Sequence, residues 1–361
     1  MNLRQTIPMA MLDDLRVLVE CESPTEDLAA CKKVIAKANE ISQRVTGKSA
    51  EIFDEKGRPV FWLGTKSPKV VLLCHLDTVW PIGSFTPLWE VSGDTVRGPG
   101  SYDMKAGFIQ ALYAMQELDH NLVALIATTD EETGSDTSRS LIEKVSKAAS
   151  AVLVLESAID GKVKVGRKGT AMYRITIHGR AAHAGLEPEK GINATVEIAK
   201  IVDQLIKLAN PASGTSVVPT VMKSGTTLNT VPALATLEID ARSFKISEME
   251  RVEREIKSLK PTHPDAKIEI SGGINRPPLE ESATAELLKL CQAAGKKLGI
   301  TIDSAVVGGA SDGNFAGLHT RVLDGLGAVG SGAHALTENV SIPHLLERKN
   351  LLVELVREIL K

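Results

Sequence analysis

Three short apolar runs in this 361-residue sequence are each followed by residues of the types that can bind metals or transfer protons. The runs cover residues 70–74, 122–127 and 151–155, and the residues that follow them are His75, Asp77, Glu131, Glu132 and Glu156. Such runs are typical of strands that are buried on both faces of a parallel sheet. Because ligands bind at the carboxyl ends of parallel strands, we expect these side chains to lie close together.

A cluster of this kind predicts a pair of divalent cations. Asp103, which follows Gly98-Pro99-Gly100 and opens a predicted helix, adds a further acid. Carboxylates crowded into one place resist ionisation, and cations remove that conflict. Imidazole and carboxylate ligands suit Zn²⁺, with Co²⁺ or Mn²⁺ as substitutes. Two metals about 3.5–4 Å apart can hold a bridging hydroxide and polarise a carbonyl.

The spacing inside the motifs indicates how the roles are divided. His75 and Asp77 are two residues apart on a strand, so they share a face, and Asp77 can accept the imidazole proton and fix the ring. Glu131 and Glu132 are neighbours in the sequence, so we expect their side chains to diverge. One of them can therefore bind a metal while the other serves as a general base.

Four segments resemble the M20 metallopeptidases, and most closely the glutamate carboxypeptidase (carboxypeptidase G2-like) branch. They are residues 75–77, 98–105, 130–135 and 179–185. The likeness extends over essentially the whole chain. It implies a catalytic domain joined to a lid or dimerisation domain, and a peptide bond after Asp103 that is often cis.

The resemblance assigns a role to each metal ligand. It makes Asp103 the bridging ligand of two zinc ions. His75 and Glu156 would complete one site, and Glu132 and His334 the other. Glu131 would be the general base that takes a proton from the bridging water and passes it to the departing amine.

The resemblance also implies residues that contact the substrate. His183 corresponds to a histidine that reaches the partner subunit's active site and stabilises the oxyanion. Asn229 corresponds to an asparagine near the substrate carbonyl, and Gly309 lies in a backbone loop that lines the cleft. Arg276 corresponds to an arginine that clamps the substrate carboxylate, a task for which a planar guanidinium is well shaped.

The order of predicted elements indicates two domains. Strands alternate with helices at 104–118 and 136–149, which predicts an α/β domain with a mixed, largely parallel sheet and helices on both faces. From residue 172 to 274 the order becomes βαββαβ, the ferredoxin-like arrangement. We therefore predict a discontinuous α/β domain at 1–167 and 277–361, with a small domain inserted at 168–276. The resemblance implies that the first is the catalytic metal-binding domain and the second the lid/dimerisation domain.

Composition excludes several classes of partner and location. The chain has 42 Lys+Arg, 45 Asp+Glu and a net charge of −3, so we expect neither nucleic acid nor an anionic membrane as partner. No long apolar run follows the first residues, and the four cysteines are scattered. These features predict a cytoplasmic protein without a signal peptide or membrane span.

The sequence predicts a homodimeric di-zinc hydrolase that cleaves the amide joining an acyl group or peptide to a C-terminal amino acid such as glutamate. A deacylase of the acetylornithine or succinyl-diaminopimelate type needs the same metal chemistry and stays open. A non-catalytic binding protein of the same fold would be expected to lack ligands or base. A dinucleotide site at the GxGxxG segment 325–330 would need a helix directly after it, and none is predicted there.

Overall fold

The computed structural model describes residues 3–361, with side chains from Met9 onwards. The chain divides into two units. The first unit contains the residues up to Gly166 together with Leu279–Val307 and Ser311–Lys361. The second contains Arg167–Pro278 and Gly308–Ala310, so it interrupts the first in sequence.

Helices and strands alternate through most of the chain. The helices are α1 (Leu3–Glu20), α2 (Leu28–Thr46), α3 (Ala106–Met115), α4 (Arg139–Ala148), α5 (Ala194–Leu205), α6 (Ile246–Ser258), α7 (Ala285–Leu298), α8 (Gly313–Ala316) and α9 (Ile342–Ile359). The strands are β1 (Glu51–Glu55), β2 (Arg58–Gly64), β3 (Val70–His75), β4 (Glu90–Ser92), β5 (Thr95–Arg97), β6 (Val123–Thr128), β7 (Ala151–Val154), β8 (Val163–Arg167), β9 (Gly169–His178), β10 (Ser216–Ser224), β11 (Leu234–Ser243), β12 (Lys267–Arg276), β13 (Ser304–Val307), β14 (Arg321–Leu323), β15 (Gly330–Ser331) and β16 (Asn339–Ser341).

The main sheet of the first unit has the order β1-β2-β6-β3-β7-β14. The strands β6, β3, β7 and β14 run parallel, while β2 and β1 continue the sheet antiparallel at one edge. His75 at the end of β3 pairs with Thr128 at the end of β6. The predicted mixed, largely parallel α/β fold is thus confirmed, and the strands that precede the acidic residues end at the same edge.

Helices cover both faces of this sheet, which explains why its central strands are apolar throughout. Every residue of β3 is buried. Its alternate residues belong to opposite cores: Leu72 packs in the cluster that includes α1, α2, α3 and α9, whereas Leu73 packs in the cluster that includes α4 and α8. Full burial of each such leucine contributes roughly 1.5–3 kcal/mol.

The second unit is a four-stranded antiparallel sheet, in the order β10-β11-β9-β12, with two helices. Ile175 and Ile177 of β9 pack with Ile198 of α5 and Val252 of α6 in one core. The chain order βαββαβ and this strand order are the ferredoxin-like arrangement expected from the sequence.

The glycines of segment 325–330 have a packing function. A Cβ on Gly327 would lie 2.1 Å from the main-chain oxygen of Leu155, so only glycine permits this approach to the chain after β7. The segment leads into the short strand β15, and not into the helix that a dinucleotide site requires.

Four buried cysteines are present, and none forms a disulfide among the described residues. Within the same part of the chain, every helix falls short of the combined length and apolarity that a bilayer crossing demands.

A buried carboxylate joins α5 to the loop before β12. Glu197 accepts hydrogen bonds from the Thr262 hydroxyl at 2.7 Å, from the Thr262 amide at 2.5 Å and from the His263 amide at 3.2 Å. Burial raises the pKa of the Glu197 carboxyl, but the hydrogen bonds from Thr262, Lys200 and His263 outweigh it and lower the pKa to about 2.

We expect Glu197→Gln to destabilise the chain by about 1–3 kcal/mol at pH 7, because the charged acceptor is lost. The folded pKa lies below the unfolded value of roughly 4.3, so the stabilisation is complete above roughly pH 4.5 and is lost as the pH falls towards 2. Urea unfolding between pH 7 and pH 3 measures this. Glu250→Gln, an exposed change on α6, is the matched control. A difference between E197Q and wild type that stays constant with pH would contradict this account.

Candidate metal centre

Asp103 lies between two groups of potential metal ligands in the first unit. His75, Asp103 and Glu156 form one group, and Asp103, Glu132 and His334 form the other. Within each group the ligand atoms lie within 4.8 Å of one another. The structure therefore brings together all five predicted metal ligands and assigns one carboxylate to both groups.

The two oxygens of Asp103 face different histidines. Oδ1 lies 3.2 Å from Nε2 of His75, which is also 3.4 Å from Oε1 of Glu156. Oδ2 lies 3.4 Å from Nε2 of His334, which is also 3.2 Å from Oε2 of Glu132. This geometry suits a carboxylate that bridges two cations.

The groups differ in exposure. The side chains of His75 and Glu156 are 1% and 8% exposed, whereas that of His334 is 52% exposed. The first group is thus enclosed, and the second opens at His334.

Asp103 is carried on a wide turn between β5 and α3. The turn Ser101–Lys105 is closed by the bond from the Lys105 amide to the Gly100 carbonyl, and the Asp103–Met104 peptide bond is cis. Gly100 has a φ of 68°, and a Cβ there would lie 2.4 Å from Cγ2 of Thr78. Only glycine fits at the start of this turn.

Asp77 holds both His75 and the turn of Glu131–Thr133. Nδ1 of His75 lies 3.4 Å from the Asp77 carboxylate and 3.1 Å from the Asp77 main-chain oxygen. The same carboxylate accepts the amides of Glu131 at 3.4 Å and Glu132 at 3.2 Å. It can therefore fix the imidazole ring, as the sequence predicts, and it also positions the two glutamates.

Electrostatics at the cluster favour positive charge. Burial opposes charge on His75, but the carboxylates of Asp103, Asp77 and Glu156 hold its pKa well above the usual value. Hydrogen bonds to Asp103 and Glu132 raise the pKa of His334 to about 10. Burial raises the pKa of Glu132. A divalent cation bound by these residues would supply the positive charge that stabilises their ionised carboxylates.

The donor set fits divalent metals. Oε1 of Glu132 is buried and has no hydrogen-bond partner among the described residues. Two imidazoles and three carboxylates match the ligands of Zn²⁺, Co²⁺ or Mn²⁺. Glu131 belongs to neither group and is buried beside Glu132 on the same turn.

The four residues predicted to contact substrate lie in the second unit. His183 and Asn229 are exposed, and their loops are joined because the Ala184 amide donates to the Asn229 carbonyl at 2.9 Å. Arg276 is the last residue of β12 and is buried. The carbonyl of Gly309 accepts a hydrogen bond from Arg167 at 3.2 Å.

Sequence reasoning missed three polar residues near the centre. The Thr25 hydroxyl donates to Asp77 at 2.8 Å, Lys164 lies 3.8 Å from Glu156, and Glu338 accepts the Asp103 amide at 3.1 Å. Glu338 stands four residues after His334, which is the one signal that could have drawn attention to it. The other two carry no motif.

A cleft of about 670 Å³ opens beside Glu132 in the first unit. Its walls include Thr25, Val79, Ile82 and Thr133. Val79 and Ile82 expose apolar surface. The cleft has the size and the mixed lining of a small-molecule site.

The sequence profile of peptidase family M20/M25/M40 matches residues 71–358, which include the five clustered residues. The chain belongs to this family. It is a hydrolase of the metallopeptidase and amidohydrolase type.

Two relatives show how far the likeness extends. Carboxypeptidase G2 from Pseudomonas sp. is 30% identical over 316 residues, which cover 82% of this chain and 75% of that protein. Succinyl-diaminopimelate desuccinylase from Halorhodospira halophila is 24% identical over 97% of this chain and 98% of that protein.

Solved structures share the fold over nearly the whole chain. Aminopeptidase PepT from Bacillus cereus has a TM-score of 0.81 at 22% identity, with 98% of this chain and 99% of that chain covered. The YXEP protein of Bacillus subtilis, described as a dinuclear metal-binding peptidase of the M20 family, has a TM-score of 0.69 at 16% identity, with 99% and 98% covered.

If each group holds one cation, the shared ligand should matter most. We expect Asp103→Ala to abolish binding at both positions, whereas Glu156→Ala and His334→Ala should each remove one equivalent of Zn²⁺. Metal analysis after equilibrium dialysis at fixed free Zn²⁺ measures the stoichiometry. His344→Ala is the control, since His344 contacts Ser341 and belongs to neither group. Two bound equivalents in the Asp103→Ala chain would disprove the bridging role.

Proposed function

We propose that this chain is a two-zinc hydrolase that cleaves the amide joining an acyl group or peptide to a C-terminal amino acid. The main support for this proposal is that the two Asp103 oxygens face two separate histidine–carboxylate pairs. Membership of the M20 family and the dinuclear description of the YXEP protein support the same conclusion.

The metal pair would polarise the scissile carbonyl and lower the pKa of an attacking water. His75, Glu156 and Asp103 would hold one Zn²⁺, and Asp103, Glu132 and His334 the other. Asp77 keeps the His75 ring and the glutamate turn in place through its hydrogen bonds to both.

Glu131 acts as the general base in this proposal. Its backbone amide bonds to Asp77, and its neighbour Glu132 is the proposed ligand. Glu131 takes a proton from the attacking water and returns it to the nitrogen that leaves. A carboxylate can do both because the two transfers occur in sequence at one site.

Residues of the second unit would recognise the substrate. We assign Arg276 to the C-terminal carboxylate, and His183 and Asn229 to the developing oxyanion, with Gly309 in the loop that lines the site. The hydrogen bond between the His183 and Asn229 loops supports their joint action. Because an arginine can form two parallel hydrogen bonds with a carboxylate, this assignment predicts that the released amino acid must have a free carboxylate.

A deacylase of the succinyl-diaminopimelate or acetylornithine type is the second candidate. The desuccinylase from Halorhodospira halophila matches nearly the full length of this chain and supports it. Both reactions break an amide next to an amino acid, so they need the same centre. Assays of the wild-type chain with peptides, acyl-glutamates and N-succinyl amino acids separate the two candidates.

We expect Glu131→Gln to lower kcat by about 10²–10⁴-fold, because proton transfer loses its base. Zn²⁺ content and KM should change little, since Glu131 is not a proposed ligand. Steady-state assays on the best amide substrate, together with metal analysis, measure this. Asp136→Asn, an exposed change five residues later, should leave kcat unchanged. Turnover near the wild-type rate in zinc-loaded E131Q would refute the proposed role.

We also propose that the second unit forms a dimer through a surface at its edge strand β10. Its edge strand β10 exposes Val218, Val221 and Met222, and nearby loops expose Leu186 and Leu228. An unpaired edge with apolar side chains invites pairing with a second copy. The family resemblance, in which the residue matching His183 acts across subunits, supports the same surface.

We expect Val221→Lys to raise the dimer dissociation constant by roughly 30-fold or more, because a buried charge at an interface costs about 2 kcal/mol or more. Sedimentation velocity over a concentration series measures the change. Leu318→Lys in the first unit, where the side chain is equally exposed, is the control. A wild-type chain that stays monomeric throughout the series would rule out the dimer.

A further inference from the structure

Glu338 is a fully buried carboxylate that receives four N–H groups. Oε1 accepts the amides of Tyr102 at 2.9 Å and Asp103 at 3.1 Å. Oε2 accepts the amide of Gly100 at 3.0 Å and the indole N–H of Trp80 at 2.9 Å. Three of the four donors belong to the turn that carries Asp103.

Only a carboxylate satisfies this arrangement. Its two oxygens offer about four acceptor sites, and all four are used here. An amide in the same place would accept with one oxygen and would point its NH₂ group at two N–H donors. Backbone amides that converge on one point also create a positive potential that favours an anion.

Glu338 also connects this turn to the loop of His334. Its own amide donates to the carbonyl of Ala335 at 2.8 Å, directly after His334. The strand β16 begins at the next residue, Asn339, and pairs there with Arg97 of β5, just before the Asp103 turn. The carboxylate thus fixes the bridging aspartate relative to the chain segment that supplies the second histidine.

We infer that Glu338 is a positioning residue for the metal centre: it holds the main chain of Asp103 so that the two carboxylate oxygens face the two ligand groups. Glu338 is in neither group and contacts the Asp103 amide and not its side chain. The inference that Glu338 affects metal binding rests on the proposed function. The inference that Glu338 holds the main chain of the Asp103 turn does not.

Glu338→Gln tests the inference, with Trp80→Phe as the matched control. The glutamine has nearly the same size, but it leaves two N–H groups facing an NH₂ group. The phenylalanine removes one donor and keeps the carboxylate and its three backbone bonds. Amide hydrogen exchange of the full-length, metal-free protein reports directly on the turn.

We expect E338Q to exchange the amides of the turn bonded to Glu338, those of Gly100, Tyr102 and Asp103, at least about tenfold faster. The reason is that glutamine leaves two of the four N–H groups without an acceptor and so loosens the turn. Strand β3 should exchange as in wild type, which shows that the change is local. Titration with Co²⁺ should show an affinity about 10–100-fold lower and an altered visible absorption band, as expected when indirect support of a ligand is lost. W80F should stay within about twofold of wild type in affinity.

Each outcome is decisive. Wild-type exchange at residues 100–103 in E338Q would overturn the positioning role, whatever the metals do. Faster exchange with unchanged Co²⁺ affinity and spectrum would overturn its connection to the metal centre. A wild-type chain that binds no Co²⁺ would refute the proposed function and that connection, while the exchange result would still decide the effect on the turn. If E338Q does not fold, E338D replaces it in the test. Aspartate keeps the charge, but its side chain is one methylene shorter, so we expect the same changes to a smaller degree.

Discussion

The whole centre depends on one carboxylate that faces two imidazoles. Asp103 presents Oδ1 to His75 and Oδ2 to His334, and each imidazole meets a second carboxylate from another part of the chain. So many acids in a largely buried place are tolerable only when positive charge lies between them. The surrounding carboxylates raise the pKa values of both histidines, which shows that the site stabilises positive charge. A pair of divalent cations held by these residues would supply that positive charge and would polarise the carbonyl of an amide substrate.

Two further buried carboxylates hold the loops that carry the proposed ligands. Asp77 accepts the amides of Glu131 and Glu132, and Glu338 accepts the amides of Tyr102 and Asp103. In both cases a side-chain anion replaces the hydrogen bonds that a helix or sheet would have supplied to the turn. This explains how loops outside regular structure can be held firmly enough to place metal ligands.

The chain separates the proposed chemistry from the proposed recognition. The clustered ligands and Glu131 lie in the first unit, whereas His183, Asn229 and Arg276 lie in the second. A carboxypeptidase and a desuccinylase both match this chain, and both reactions break an amide next to an amino acid. We therefore propose that the choice between such substrates depends on the residues proposed to contact the substrate and on the cleft beside Glu132, and not on the ligand set.

The sequence by itself determined the fold class and the residues of the cluster. Continuous apolar runs marked β3, β6 and β7, because strands covered on both faces have no polar side, and the order βαββαβ marked the second unit. Sequence reasoning missed β2, which lies beside the edge strand β1 of the main sheet. It also missed β4, β5, β15 and β16, which form a small separate sheet and, at two or three residues each, are too short to show a pattern. Motif spacing found His75, Asp103 and Glu132, since a motif is local. The family resemblance already implied that Asp103 is shared, and the structure places it in both groups. Only the tertiary structure revealed that Glu338, 235 residues away in sequence, accepts its amide. Contacts over such separations arise from packing of the whole unit, which no local pattern encodes.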